Sequence, residues 1–246
     1  METPHFYAVI IGTEILNGRR TDKHFPFVRE ALAKRGHTLF ASLTVKDDRE
    51  LIERTFGMVR SDPAAVMFSF GGIGSTPDDL TREIAAKVFT GKPLRRHEAF
   101  ERDILERFGD EAYPHRIHMA DLPEGAGLLK NPVNNMSGFY LRERYFFVPG
   151  FPEMAHPMIE EALERFYPEA KRSHRLTLTA QTSENTLIDI MKRMPDTVEF
   201  SSLPMLRNGT PTVEISVAGV RKEAVEAAFE AFTRFLDEHR IPYTLR

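Results

Sequence analysis

The apolar residues of the first two-thirds of the chain fall into short unbroken runs separated by stretches with helical spacing. Phe6-Tyr-Ala-Val-Ile-Ile11 and Ala64-Ala-Val-Met-Phe68 are continuous and rich in strand formers. Each is too short for a helix and is bounded by turn residues, so each predicts a strand buried on both faces of a parallel sheet. Between them, Phe25, Val28 and Leu32 recur at helical spacing and stop at Lys34-Arg35-Gly36, a basic last turn followed by glycine. His24 precedes that run and reads first as a polar residue of the opening turn. Leu39 to Val45 predicts a second strand and Leu51 to Met58 a second helix, closing at Ser61-Asp-Pro63. Further helices are expected over Leu80 to Phe89, Glu98 to Phe108 and Met154 to Phe166. Tyr113 to Met119 reads as irregular or a short helical turn, and Leu122 to Gly125 as a turn. Strands are expected at Gly127 to Asn131, Asn134 to Leu141 and Tyr145 to Val148, the last two joined by a hairpin. Strands alternating with helices predict an α/β domain around a mostly parallel sheet.

The pattern changes after about residue 167. Pro168 to Ser173 is polar and reads as a linker. Beyond it, His174 to Thr179 and Thr212 to Val217 alternate apolar and polar residues, as half-buried strands do. Val198 to Leu203 is a further strand, and Asn208-Gly209 marks a turn. A helix is expected from Ser183-Glu184 to Met191. A longer one runs from Ala224 to His239, with Val225, Ala228, Phe229, Phe232, Phe235 and Leu236 on one face. The order β-α-β-β-α predicts a small α+β domain, with helices over an antiparallel sheet. Two domains are therefore expected, residues 1–167 and 174–246. The second holds no carboxylate cluster, histidine pair or glycine cradle, and reads as structural or oligomer-forming.

Composition narrows the class without naming a function. The chain has 246 residues, 41% hydrophobic and 28% charged, enough to build a core without staples. The formal net charge is -3 and the Lys and Arg residues are scattered, which argues against a nucleic-acid surface. There is no cysteine, so disulfides and cysteine-based zinc sites are excluded. No apolar run is long enough to span a membrane, and Phe6 to Ile11 is too short for a signal-peptide core, so the cytoplasm is the expected location.

The chemistry concentrates in Ser69-Phe-Gly-Gly-Ile-Gly-Ser-Thr-Pro-Asp-Asp-Leu-Thr81, between a buried strand and a helix. Gly71, Gly72 and Gly74 allow left-handed backbone and close approach to a ligand. Unpaired N–H groups at the start of the next helix suit an anion such as phosphate. Asp78 and Asp79 stand beside that site. A carboxylate repels phosphate unless a cation lies between them or the acid has a chemical task. The plainer reading is a tight turn with Thr76 or Asp78 as helix cap. Other strand ends deliver comparable groups: Glu14 after the first, Asp47 after the second, and Pro149-Gly150-Phe-Pro152-Glu153 after the strand ending at Val148. In a parallel sheet these ends emerge on one edge, where ligands of open α/β sheets bind. For Glu14 taken alone, a solvated loop acid is the slightly favoured reading.

These motifs resemble those of the competence/damage-inducible protein A family. The matching segments are Gly12-Thr-Glu-Ile-Leu-x-Gly18, Thr44-Val-Lys-Asp47-Asp, Gly71 to Thr81, Asn131-Pro and Pro149-Gly-Phe-Pro-Glu-Met154. The first domain of that family is of the MoaB/Mog molybdopterin-binding type, also found in eukaryotic FAD synthases. The resemblance implies a three-layer α/β/α fold and a homo-oligomer. The nicotinamide-nucleotide deamidase domain of the family has no counterpart before Arg246, so that activity is not implied. Two tasks are: metal-dependent pyrophosphatase action on an ADP-ribose- or FAD-like diphosphate, or binding of molybdopterin. A non-catalytic nucleotide-binding module is a third reading. The family's functional acids fall on Asp47 and Asp79, which would share a divalent cation, Mg²⁺ by expectation. Asp78 favours the nucleotide branch, and Asp78 or Glu14 would take the proton of an attacking water. Gly71, Gly72, Gly74, Ser75, Thr76, Pro149, Gly150, Pro152 and Glu153 would line the phosphate site. Ser75 stands where the family usually has Pro, Thr13 where it has Asp, and His24 where it has Asn. Thr13 removes one acid, so a weaker metal site is expected.

Overall fold

The computed structural model describes residues 3–169, 174–207 and 209–246. The chain divides into two compact units, Met1–Glu169 and Ala170–Arg246. The expected linker falls largely on residues 170–173, outside the described residues.

The first unit is built on a six-stranded sheet in the spatial order Leu39–Val45, His5–Ile11, Ala65–Phe70, Tyr145–Val148, Gly138–Leu141, Gly127–Leu129. Three of its strands are β1 (His5–Ile11), β2 (Leu39–Val45) and β3 (Ala65–Phe70), with β2 at one edge. They pair in parallel, as the apolar runs predict. Successive side chains of a strand point to opposite faces. Phe6, Ala8 and Ile10 therefore face one helical layer, while Tyr7, Val9 and Ile11 face the other. The result is the expected three-layer α/β/α architecture.

The connections follow the chain. A one-turn helix, α1 (Thr13–Leu16), leaves β1, and α2 (His24–Lys34) returns to β2. Helix α3 (Arg49–Ser61) is capped by Asp48, whose side chain accepts from Leu51 N–H. After β3 comes α4 (Thr81–Ala85), shorter than its sequence pattern predicts. It widens into a π-helical turn, Ala86–Thr90, that ends on left-handed Gly91. A short ribbon pairs β4 (Arg95–Arg96) with β5 (Asp121–Leu122) around α5 (Glu98–Phe108). The 113–119 stretch, expected to be irregular or a short helical turn, runs into a 3₁₀ turn, Arg116–Ala120, and a further 3₁₀ turn, Gly109–Ala112, precedes it.

The sheet finishes with β6 (Gly127–Leu129), β7 (Gly138–Leu141) and β8 (Tyr145–Val148). Here β7 is shorter than the expected 134–141 strand. Asn131 takes residues 131–136 into a turn, accepting from Val133 N–H and donating to the Met136 carbonyl. Strand β8 is parallel to β3, and β7 is antiparallel to β8 through the hairpin at Arg142 and Glu143. Helix α6 (Pro152–Phe166) follows, with proline in its first turn where no N–H is needed. It packs Met158, Ile159 and Leu163 beside Val28 and Leu32 of α2.

The second unit carries β9 (His174–Ala180), α7 (Glu184–Met191), β10 (Glu199–Arg207), β11 (Thr210–Gly219), α8 (Lys222–Glu238) and β12 (Tyr243–Leu245). Its sheet is antiparallel in the order β10-β11-β9-β12. Leu178, Ile215, Phe232 and Leu236 sit in its core. The last strand was not expected from the sequence. Of the expected turn, Asn208 lies outside the described residues and Gly209 has φ +78°. No helix among the described residues is long and apolar enough to cross a membrane.

Candidate functional site: a glycine turn at the edge of the parallel sheet

Strands β1, β2, β3 and β8 all end on the same edge, and hydrogen bonds tie their exits together. Gly12 N–H donates to Val45 O at 3.0 Å, and Gly71 N–H donates to Val148 O at 2.9 Å. A Cβ on Gly150 would lie 3.6 Å from Gly71 Cα, so the two glycine-bearing exits are in contact. The convergence expected of Gly71, Pro149, Gly150 and the strand-end acids is therefore present in the backbone.

The turn at 71–76 is determined by what lies beneath it. Gly71 and Gly72 have φ of +99° and +70°, where a side chain is strained. Space forbids one as well: a Cβ would come within 2.4 Å of Ile11 O at Gly71, and within 2.4 Å of Thr81 Oγ1 at Gly72. Thr81 is fully buried and its hydroxyl donates to Gly71 O at 2.9 Å. Gly74 differs from the expectation that three glycines supply left-handed backbone. Its φ is not positive; a Cβ there would meet Asp79 Oδ2 at 2.5 Å. Gly74 thus makes room for a carboxylate.

Unpaired donors lie in the turn as well as at the helix start, where the N–H groups of Arg82 and Glu83 have no protein acceptor among the described residues. Asp79, Leu80 and Thr81 N–H donate to the Thr76, Asp78 and Gly72 carbonyls. The N–H groups of Gly72, Ile73, Gly74 and Ser75 have no protein acceptor among the described residues. Neither Thr76 nor Asp78 caps α4, whose N-cap is Leu80 with no side-chain bond. Instead Thr76 donates to Asp79 Oδ2, from its N–H at 2.8 Å and its hydroxyl at 2.7 Å.

The other acids fall into separate settings. Asp47 Oδ2 accepts from both Thr13 N–H and Thr13 hydroxyl at 2.8 Å, and Asp47 N–H donates back to that hydroxyl at 3.2 Å. Threonine at position 13 therefore locks Asp47, where an aspartate would have repelled it. Glu14 is half-buried, and its carboxylate folds back over Gly12: a Cβ there would lie 3.1 Å from Glu14 Oε2. Asp78 is exposed, and the nearness of Thr76, followed by its own backbone N–H, holds its carboxyl below the ordinary range. Such a carboxylate is a weak proton acceptor. Pro152 and exposed Glu153 lie in the first turn of α6, just past Gly150.

Three residues of the site were not singled out by sequence reasoning as they are used. Arg82 is 8% exposed, and its guanidinium donates through Nη1 to the carbonyls of Ile73 and Gly74. Burial lowers its pKa, against the opposing charges of Asp79, Asp121 and Glu83. The available signal was a cation in the first turn of a helix, where the dipole disfavours it. His24, read as a polar first-turn residue, is buried instead: it stacks on Phe70 at 4.3 Å and its Nε2 meets Gly150 O at 3.2 Å. His156 of α6 stands edge-on to it at 5.3 Å and stacks on Phe27 at 3.8 Å.

Residues 7–169 match the family model described as a probable molybdopterin binding domain, which covers most of the first unit. The chain belongs to that family. The CinA-like protein of Geobacter sulfurreducens is 36% identical over 180 residues, 68% of this chain and 43% of the relative. A protein of Archaeoglobus fulgidus is 28% identical over 96% of this chain and 99% of its own length. Among solved structures, CinA from Thermoplasma acidophilum, described as of unknown function, covers 66% of this chain at 27% identity with a TM-score of 0.59. The chain spans less than half the length of the first curated relatives it matches. The resemblance read from the motifs is thus borne out at the level of family and fold.

Proposed function

We propose that the first unit binds a phosphorylated pterin of the molybdopterin type, with its phosphate on the amides of residues 72–75. The observation that carries this reading is that run of unpaired N–H groups beside the Gly71–Gly150 contact. Successive amides that face one way form an anion-binding concavity. The family model, by its description, supports a pterin as the organic part. Fluorescence titration with 6-hydroxymethylpterin phosphate, beside the same pterin without phosphate, tests it. Phosphate-dependent quenching is expected; equal affinity for the two compounds removes the reading.

A second reading is metal-dependent hydrolysis of a nucleoside diphosphate of the ADP-ribose type. The observation favouring it is that Asp47 and Asp79 each present a carboxylate fixed through Oδ2, leaving Oδ1 without a protein donor among the described residues. No three His, Cys, Asp or Glu side chains gather as a metal site among the described residues. Mg²⁺ commonly takes only one or two carboxylates and completes its shell with phosphate oxygens and water, so this donor set fits it. When bound, the cation would offset phosphate charge and activate water. Thr13 and Thr76 hold the two carboxylates in place, and the turn amides would receive charge developing on phosphoryl oxygens. Incubation with ADP-ribose and Mg²⁺, beside Asp79→Asn, separates the readings: turnover lost in the variant supports hydrolysis, and pterin binding without turnover leaves the first reading standing.

A further inference from the structure

The proposed phosphate site needs its amides to face outward, and nothing in the turn's own sequence fixes that. The peptide units joining Ile73 to Gly74 and Gly74 to Ser75 are trans; the single cis bond among the described residues is Tyr113-Pro114. In a trans peptide the C=O and N–H point in opposite directions. Arg82 donates from below to the carbonyls of those same two units, Ile73 O and Gly74 O. The N–H groups of Gly74 and Ser75 must then point away from Arg82, toward the side where no protein acceptor waits.

We infer that Arg82 is the positioning residue of the phosphate cradle: its guanidinium holds two successive carbonyls inward and so aims two successive amides at the ligand. The inference rests on the phosphate reading of this turn. Three further features support it. Arg82 is 8% exposed, a costly place for a cation without a task. Its Nε is buried with no partner, so the side chain is committed to the turn and not to a satisfied ion pair. Asp79, whose charge favours the Arg82 cation, is itself bound to Thr76 at the far end of the turn. Both bonds leave the one nitrogen Nη1, whose two N–H groups are fixed in the guanidinium plane; a lysine ammonium turns freely on a flexible stem and is not aimed in that way.

The test uses the full chain labelled with ¹⁵N and inorganic pyrophosphate as probe, comparing wild type with Arg82→Lys and Arg82→Met. Affinity is measured by calorimetry at a temperature where thermal melts show each protein folded. Pyrophosphate is expected to shift the Gly74 and Ser75 amide resonances of the wild type. Both variants are expected to bind about tenfold or more weakly, the loss of one or two charge-assisted contacts, with those shifts gone. Lysine keeps the charge, so weakening in Arg82→Lys marks geometry and not simple attraction. Should Arg82→Met fail to fold, Arg82→Lys alone decides. Wild-type affinity and shifts in Arg82→Lys would overturn the positioning role while leaving the phosphate reading intact. Wild-type binding that moves neither amide, or no binding at all, would overturn the phosphate reading itself.

Discussion

At the scale of single residues, the glycines of the turn do different work, and substitution separates them. Gly71 combines φ +99° with a backbone oxygen 2.4 Å from any added Cβ. Ile11 O belongs to the central strand and cannot step aside. Gly71→Ala is expected to cost about 3 kcal/mol of stability in the first unit, read as a lowered melting temperature. Gly74 has an ordinary φ, and its closest neighbour is the tip of a flexible side chain, Asp79 Oδ2. Gly74→Ala should therefore cost less than about 1 kcal/mol. It should still displace the Asp79 carboxylate and break its two bonds from Thr76, weakening Mg²⁺-dependent ligand binding in calorimetry. A variant as unstable as Gly71→Ala would show that the carboxylate cannot move. The same scale explains why the site was only partly legible. Sequence reveals that glycines and acids lie at strand ends, because strand boundaries are marked by apolar runs. It does not reveal that Arg82 is buried or that Thr13 closes on Asp47. Both depend on contacts across elements: an arginine beside Asp-Asp-Leu-Thr81 reads as a solvated charge until the turn is seen folded over it.

At the scale of elements, the long central strands were legible because Phe6–Ile11 and Ala65–Phe70 are apolar on both faces. Shorter elements were not. Tyr243–Leu245 is three residues long and shows no period, so only pairing with β9 makes it a strand. The helix after the turn looks regular over its whole length in sequence, yet it widens after Ala85. The contact between α2 and α6 carries a pH dependence that periodicity could not show. Burial pushes the pKa of His156 down to about 4, with the charge of His24 adding to the effect and Asp22, Glu153 and Glu160 opposing it. His24 is lowered as well, chiefly by burial, although its bond to Gly150 O and the Asp22 charge oppose. The unfolded chain binds protons to these imidazoles near pH 6.5, the folded chain only at lower pH. Stability therefore falls as pH drops from about 6.5 toward 4, and is unaffected by these groups above that window. His156 is half-exposed, so solvent screening holds its share to about 1–2 kcal/mol. Replacing it with Phe keeps an aromatic ring on Phe27 and removes the proton. In thermal melts at pH 7 and pH 5, His156→Phe should lose less stability on acidification than wild type. Parallel losses would show that the imidazole is not the group involved.

At the scale of the whole molecule, the two units hold separate apolar cores, with Phe56, Phe68 and Phe147 among the residues of the first and Phe232 in the second. The glycine turn, Arg82 and the strand-end acids belong to the first. Phe232 is fully buried and stacks on Phe200 at 5.6 Å. Truncation of such a residue costs about 3–5 kcal/mol. A unit of this size has a net stability of only roughly 4–12 kcal/mol. Phe232→Ala should therefore remove or sharply lower one calorimetric transition, that of the second unit. Ligand linkage identifies the other: a ligand stabilises what it binds, in proportion to the logarithm of its concentration over Kd. Pyrophosphate should raise the transition that survives Phe232→Ala and leave the second unit's transition in the wild type where it was. Pyrophosphate affinity should be the same in variant and wild type, because the turn, Arg82 and the strand exits all lie in the first core. If Phe232→Ala weakened pyrophosphate binding, or if one transition carried the whole chain and moved with ligand, the second unit would have to be counted as part of the site.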